Sequence, residues 1–203
     1  MKHLYIIRHG ETAFNKSKKM QGRGIDASLN EKGRKQAESV VAFFEGKSVS
    51  KIVTSSLKRA KESVVPLCKS FNLDAEGYTE LDEMDFGTLE GKRFDDVKSD
   101  LISLHQNWSS GELEIAPDNG ENPIQVYKRA SSKIEEILEL SKEEHIVFML
   151  HGRLIRILLS EWLGLGLKNM HQIEHQNGAI NYLTWDAQKF EVVELNIINH
   201  LDE

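Results

Sequence analysis

His3-Leu4-Tyr5-Ile6-Ile7-Arg8-His9-Gly10 lies near the start of the chain, and Ile146-Val147-Phe148-Met149-Leu150-His151-Gly152 repeats its pattern far downstream. Each is a short apolar run that ends on a histidine and a glycine. Runs of this kind, without polar alternation, mark strands covered on both faces, as in a parallel sheet. Working outward, Asn30 reads as an N-cap ahead of Ala37, Val40, Val41 and Phe44 at helical spacing. Ile52-Val53-Thr54 reads as another strand, and Ser55 or Ser56 as the cap of a helix carrying Leu57, Ala60, Val64 and Leu67, with Pro66 set to kink or shorten it. A short strand and loop are expected over 72–82, a weaker helix over 93–108 and a loop over 109–121.

Asn122-Pro123-Ile124-Gln125 combines an N-cap, a proline at the first helical position and a capping-box glutamine. Val126, Ala130, Ile134 and Ile137 continue that helix. Leu154, Ile155, Leu158, Leu159 and Trp162 make the next, and two strands follow at 179–185 and 190–197. Alternating strands and helices predict a three-layer α/β/α sandwich with a mainly parallel sheet. No linker, repeat or low-complexity tract divides residues 1–203, so a single domain is expected. Ligands of such sheets sit off the carboxyl ends of the strands. His9 and His151 are therefore expected at one edge.

Composition narrows the function. The chain has 203 residues, with 26 Lys and Arg against 32 Asp and Glu, a net charge of −6. That acidity argues against nucleic acid as a partner, but a local basic pocket for a small anion is compatible with it. No run approaches the roughly 18 apolar residues of a membrane span. The run Leu4–Ile7 is too short for a signal-peptide core, and Cys68 is the single cysteine. A cytoplasmic protein is the expectation, with no membrane partner and with homo-oligomerisation left open.

Arg8, His9, Arg59 and His151 each sit at a strand-to-helix crossing. Two guanidiniums and the free N–H groups of a helix start suit a tetrahedral dianion. A histidine among them is either a charged donor to phosphate oxygens or, when neutral, a nucleophile toward phosphorus. In the second role its other nitrogen needs an acceptor, and a carbonyl in the Gly10 turn is available. The leaving alkoxide then requires a proton from a buried carboxylic acid.

Arg8-His9-Gly10-Glu11-Thr12 with Asn15 resembles the RHGExxxN signature of the histidine phosphatase superfamily, the phosphoglycerate-mutase-like group. The resemblance runs nearly the whole chain. It continues through Gln21-Gly22, Asp26, Leu29, Gly33 and Gln36-Ala37, then Ser55-Ser56-Leu57-Lys58-Arg59-Ala60. Leu81-Asp82-Glu83-Met84-Asp85-Phe86-Gly87 with Glu90-Gly91 follows, then Gly120-Glu121-Asn122 with Val126 and Arg129, and finally His151-Gly152. Phe14 stands where the family often has Trp, and Asn122 where it usually has Ser.

The resemblance implies a phosphoglycerate-mutase-like fold and a phosphohistidine mechanism on a small phosphorylated substrate, with no metal or other cofactor. It implies that His9 is the nucleophile, that Arg8, Arg59 and His151 hold the phosphoryl group, and that Glu83 is the proton donor and later the base. It makes Asn15, Gln21, Gly22 and Gly152 contacts to phosphate or substrate. A substrate-covering region within about 84–145 is shorter than the insertion typical of true mutases. This favours a phosphatase, of the broad-specificity or α-ribazole type, over a cofactor-dependent phosphoglycerate mutase.

Other readings compete. A non-catalytic phospholigand-binding module is one, although His9 and Glu83 are both present. His171-Gln172-Ile173-Glu174-His175 spells an inverted zinc-protease motif, but between Gly166 and Asn177-Gly178 little room remains for a long helix. Lys16, Lys18, Lys19 and Arg23 either form a solvated loop or steer anions. Arg153 either adds to phosphate affinity or faces solvent.

Overall fold

The computed structural model describes residues 1–201. Six strands form one sheet in the order β3-β2-β4-β1-β5-β6. They are β1 (Lys2–Arg8), β2 (Lys51–Ser55), β3 (Ala75–Tyr78), β4 (His145–Leu150), β5 (Ile180–Trp185) and β6 (Phe190–Ile197). β3, β2, β4 and β1 run parallel, and β5 and β6 add an antiparallel pair beside β1. The sheet is the mainly parallel one expected. No helix among the described residues is long and apolar enough to cross a membrane.

The period of two along each strand divides the core. Leu4, Ile6, Ile146, Phe148 and Leu150 point to one face, where they join a cluster with residues of α5 (Pro123–Leu140) and α6 (Gly152–Trp162). Tyr5, Ile7, Ile52, Val147 and Met149 point to the other, against α2 (Glu31–Phe43) and α3 (Lys58–Phe71). The short α1 (Ala13–Lys16) lies in the loop after β1, and α4 (Lys98–Ser110) buries Leu104 and Trp108 in the cluster of the α5 and α6 face. Both predicted caps form. Asn30 Oδ1 accepts from the Gly33 amide at 2.8 Å, and Asn122 and Gln125 make a reciprocal capping box.

Three local expectations change. The N-cap of α3 is Leu57, without a side-chain bond, because Ser55 and Ser56 are engaged elsewhere. Pro66 does not shorten α3, which continues to Phe71. The weak helix starts at Lys98 rather than 93, since Arg93 is drawn into a bridge with Lys19.

The site end is set by topology. β1 and β4 are neighbours, yet the chain leaves β1 toward the α2/α3 face and leaves β4 into α6 on the opposite face. The diverging connections open a crevice at their carboxyl ends. Its floor is tightly fitted. A Cβ on Gly10 would meet the Gly33 carbonyl oxygen at 2.3 Å, and one on Gly33 would meet that of Glu11 at 2.1 Å. Only glycine at both positions lets the loop after β1 lie against the start of α2.

Candidate active site

Arg8 pairs in register with Leu150, so His9 and His151 emerge side by side, with ring centroids 5.1 Å apart. His9 Nδ1 lies 2.7 Å from the Gly10 carbonyl oxygen. A carbonyl only accepts, so Nδ1 carries the proton and Nε2 keeps its lone pair. The rest of the residue is pinned by the Asn177 amide, which donates to the His9 carbonyl at 2.9 Å, and by Ser63 Oγ, which accepts from the Gly10 amide at 3.0 Å. Burial, then Arg59 and Arg8, hold the His9 pKa well below its ordinary value, so the ring is neutral. His151 is fully buried and is likewise held well below its ordinary value by burial, then by Arg59, His9 and Arg8. Its Nε2 lies 2.7 Å from Ser55 Oγ, which also accepts from the Leu57 amide at 3.2 Å. The Ser55 proton is thereby free for Nε2, which favours Nδ1–H, an atom with no protein partner.

Arg59 enters from the first turn of α3 and is 1% exposed. The Ile25 and Gly22 carbonyls accept from its two terminal nitrogens at 2.7 and 3.1 Å, while Nε has no partner. Arg8 lies across Gly152, where a Cβ would stand 3.3 Å from the guanidinium carbon. Burial lowers the Arg8 pKa to about 10, so it stays charged. Its Nε also lacks a partner. Buried donors of this kind suit phosphoryl oxygens.

Glu83 follows the 3-10 turn Thr79–Leu81 and is 6% exposed. Its Oε1 accepts from the Met84 and Leu154 amides, each at 2.9 Å, and Oε2 accepts from the Arg153 amide at 3.0 Å. The carboxyl thus sits on the N-terminus of α6, one residue beyond His151 and Gly152. Arg129 fixes the segment that carries it. Its Nη1 donates to the Glu80 and Asp82 carbonyls and its Nη2 to that of Glu83, while Nε and Nη2 grip Glu121. Asp82 in turn accepts from the amide and hydroxyl of Ser56.

The remaining predicted contacts separate. Gln21 lines the cavity above the site. Its Oε1 accepts from Thr12 Oγ1 at 2.7 Å, and its Nε2 is buried without a partner. Asn15 also lines it, but Oδ1 closes the capping box of α1 by accepting from the Thr12 amide. Gly22 meets Arg59 through its carbonyl rather than bordering the cavity. Gly152 borders the cavity, and its carbonyl accepts from His175 Nε2 at 2.8 Å.

Arg153 is half-buried. It borders the cavity with Arg156, His171 and His175. His171 and His175, read from sequence as a possible inverted zinc-protease motif, both border this cavity. Arg129 has a place in the family pattern but no role there, and Ser63, Asn177 and Arg156 are not singled out from sequence. A signal existed for Ser63, which shares the buried stripe of α3 with Arg59. None existed for Asn177, which reaches His9 across 168 residues.

Residues 4–198 match the model of a family described as the histidine phosphatase superfamily (branch 1). Among curated relatives, the "Putative phosphoserine phosphatase 2" of Hydrogenobacter thermophilus is 27% identical over 98% of both chains. The "Probable phosphoglycerate mutase GpmB" of Salmonella choleraesuis is 26% identical over 100% of this chain and 96% of its own. Among solved structures, Bacillus stearothermophilus YhfR superposes with a TM-score of 0.90 at 26% identity, covering all of both chains. A mycobacterial glucosyl-3-phosphoglycerate phosphatase in complex with VO3 gives 0.87 at 26%, covering 97% and 99%.

Proposed function

Since this chain belongs to the histidine phosphatase superfamily, branch 1, we propose that it hydrolyses a small cytoplasmic phosphomonoester through a phosphohistidine at His9, without a metal. The observation that carries this reading is the His9–Gly10 hydrogen bond, which leaves the Nε2 lone pair of a neutral ring beside Arg8 and Arg59. One curated relative, a putative phosphoserine phosphatase, and one solved structure, a glucosyl-3-phosphoglycerate phosphatase, are phosphatases by name, which supports the hydrolytic direction.

In the first step Nε2 attacks phosphorus and the bond from phosphorus to the ester oxygen breaks. The departing oxygen takes the Glu83 proton. Arg8, Arg59 and His151 face the charge on the three equatorial oxygens, the neutralising work that Mg²⁺ performs in other phosphoryl-transfer enzymes. In the second step water attacks phosphorus and gives a proton to Glu83. The bond from phosphorus to nitrogen breaks, and inorganic phosphate and neutral His9 are restored.

On this reading residues 1–203 act as one domain. Phe94, Leu104 and Trp108, from α4 and the turn before it, border the cavity of about 440 Å³ and support a covering role within 84–145. The mutase remains the second reading because relatives carry that name. It requires a bisphosphate primer and little phosphate release.

The test is turnover of 4-nitrophenyl phosphate and an alkyl phosphate with chelator present, and capture of the labelled phosphoenzyme after an alkaline quench. Chelator-resistant release and label at His9, both lost in His9→Ala, are expected. Release that survives His9→Ala, or label elsewhere, overturns the reading. Primer-dependent isomerisation without release selects the mutase.

A further inference from the structure

The cavity carries more positive charge than one phosphoryl group requires. Arg8 and Arg59 match a phosphoryl dianion. Of these Arg8 borders the cavity, and Arg153 and Arg156, three residues apart on one side of α6, border it too, together with Lys19. Among the described residues neither guanidinium forms an ion pair with a carboxylate. The acids whose charge reaches them are Glu83 and, for Arg156, Glu174, and Glu83 has both oxygens engaged by amides.

Arg153 is also held in place. Its guanidinium carbon lies 5.5 Å from the Trp108 ring, and Nη1 lies 3.3 Å from His171 Nδ1. Burial and then Arg153 push His171 down to about 3, so its Nδ1 accepts from the arginine. Burial and Arg156 lower Arg153 itself to about 10. Two half-buried cations with no carboxylate in contact are costly in the free protein, and an anionic ligand offsets that cost. The planar fork of arginine fits a carboxylate or a phosphate through paired hydrogen bonds.

Resting on the phosphatase reading above, we propose that Arg153 and Arg156 form a second anion subsite. The substrate is then a phosphomonoester whose leaving group carries a further oxyanion, either a carboxylate or a second phosphate. Leu101, Leu104 and Phe94 on the cavity wall cover the carbon skeleton between the two charged ends.

The test compares three probes that share a three-carbon frame. 3-Phosphoglycerate carries a carboxylate, propane-1,3-diol bisphosphate a second phosphate, and glycerol 3-phosphate only a hydroxyl at the distal end. Wild-type kcat/KM is expected to favour at least one acidic probe over glycerol 3-phosphate by about tenfold or more. Arg153→Gln and Arg156→Gln should each cut that ratio at least about fivefold, mainly through KM. The favoured acidic probe identifies the distal group.

Equal kcat/KM for all three in the wild type, or ratios unmoved in both variants, overturns the subsite. Binding of the same probes to His9→Ala by calorimetry separates this outcome from failure of the phosphatase reading. No hydrolysis of any probe with tighter binding of an acidic one sinks the reaction but keeps the subsite. Indifferent binding sinks the subsite whatever the turnover.

Discussion

Arg129 Nη2 donates to the main-chain oxygen of Glu83 at 3.1 Å while the same guanidinium grips both oxygens of Glu121. One planar group thus ties α5 to the turn that delivers the proposed proton donor. Replacement by Gln leaves the Glu80, Asp82 and Glu83 carbonyls short of donors and lets Glu83 drift. We expect Arg129→Gln to lower kcat by about 10- to 100-fold, more for an alkyl phosphate than for 4-nitrophenyl phosphate. Equal slowing on both, with a lowered Tm, marks a structural role only.

Glu83→Gln keeps the shape of the side chain but removes the transferable proton. Turnover of an alkyl phosphate should fall by roughly 10² to 10⁴. 4-Nitrophenolate leaves without much help, so the loss on that substrate should be smaller. A loss independent of leaving-group pKa removes Glu83 from the proton-donor role.

Gly33→Ala places a methyl 2.1 Å from the Glu11 carbonyl oxygen and 2.7 Å from its amide. Neither is a flexible side chain, so the loop after β1 must move off α2. A destabilisation of about 1–3 kcal/mol is expected, read as a lower Tm, together with weaker binding of inorganic phosphate. An unchanged Tm shows that the loop yields without cost.

Acid should weaken the fold and anions should restore it. His9 and His151 are held well below their ordinary values, and burial, followed by Arg8, takes His175 down to about 3. The unfolded chain binds protons at these rings near pH 6.5, and the native state does not. Their stabilisation is therefore complete above about pH 6.5 and is progressively lost as pH falls below it. Phosphate bound among them favours the protonated rings. Thermal melts from pH 7 to pH 4 should show a falling Tm whose slope flattens with phosphate. A Tm independent of pH over that range contradicts the buried neutral histidines.

The fold was readable because its signals are local. Unbroken apolar runs at 4–7 and 146–150, caps at Asn30 and Asn122, and buried stripes along α3, α5 and α6 each depend on neighbours within a few residues. Arg8, His9 and His151 stood out for the same reason, since they terminate those runs. Glu83 could be chosen from 32 acids only through the resemblance, because it follows a 3-10 turn with no periodicity of its own. Position marks Ser55 or Ser56 as a helix cap. The Ser55 hydroxyl instead meets His151, 96 residues away.

By itself, then, the sequence determined the alternation of strands and helices, the helix starts at Asn30 and Asn122, and the residues that end the two central strands. Tertiary structure alone decided how those residues are used. It chose the free nitrogen of His9, gave Arg59 its carbonyl anchors at Gly22 and Ile25, set Glu83 on the amides of α6, and turned Arg153 into the cavity. The physical reason is range. Hydrophobic periodicity records which side of an element is buried, whereas the partner of a buried polar atom depends on strand order and on which face each connection crosses.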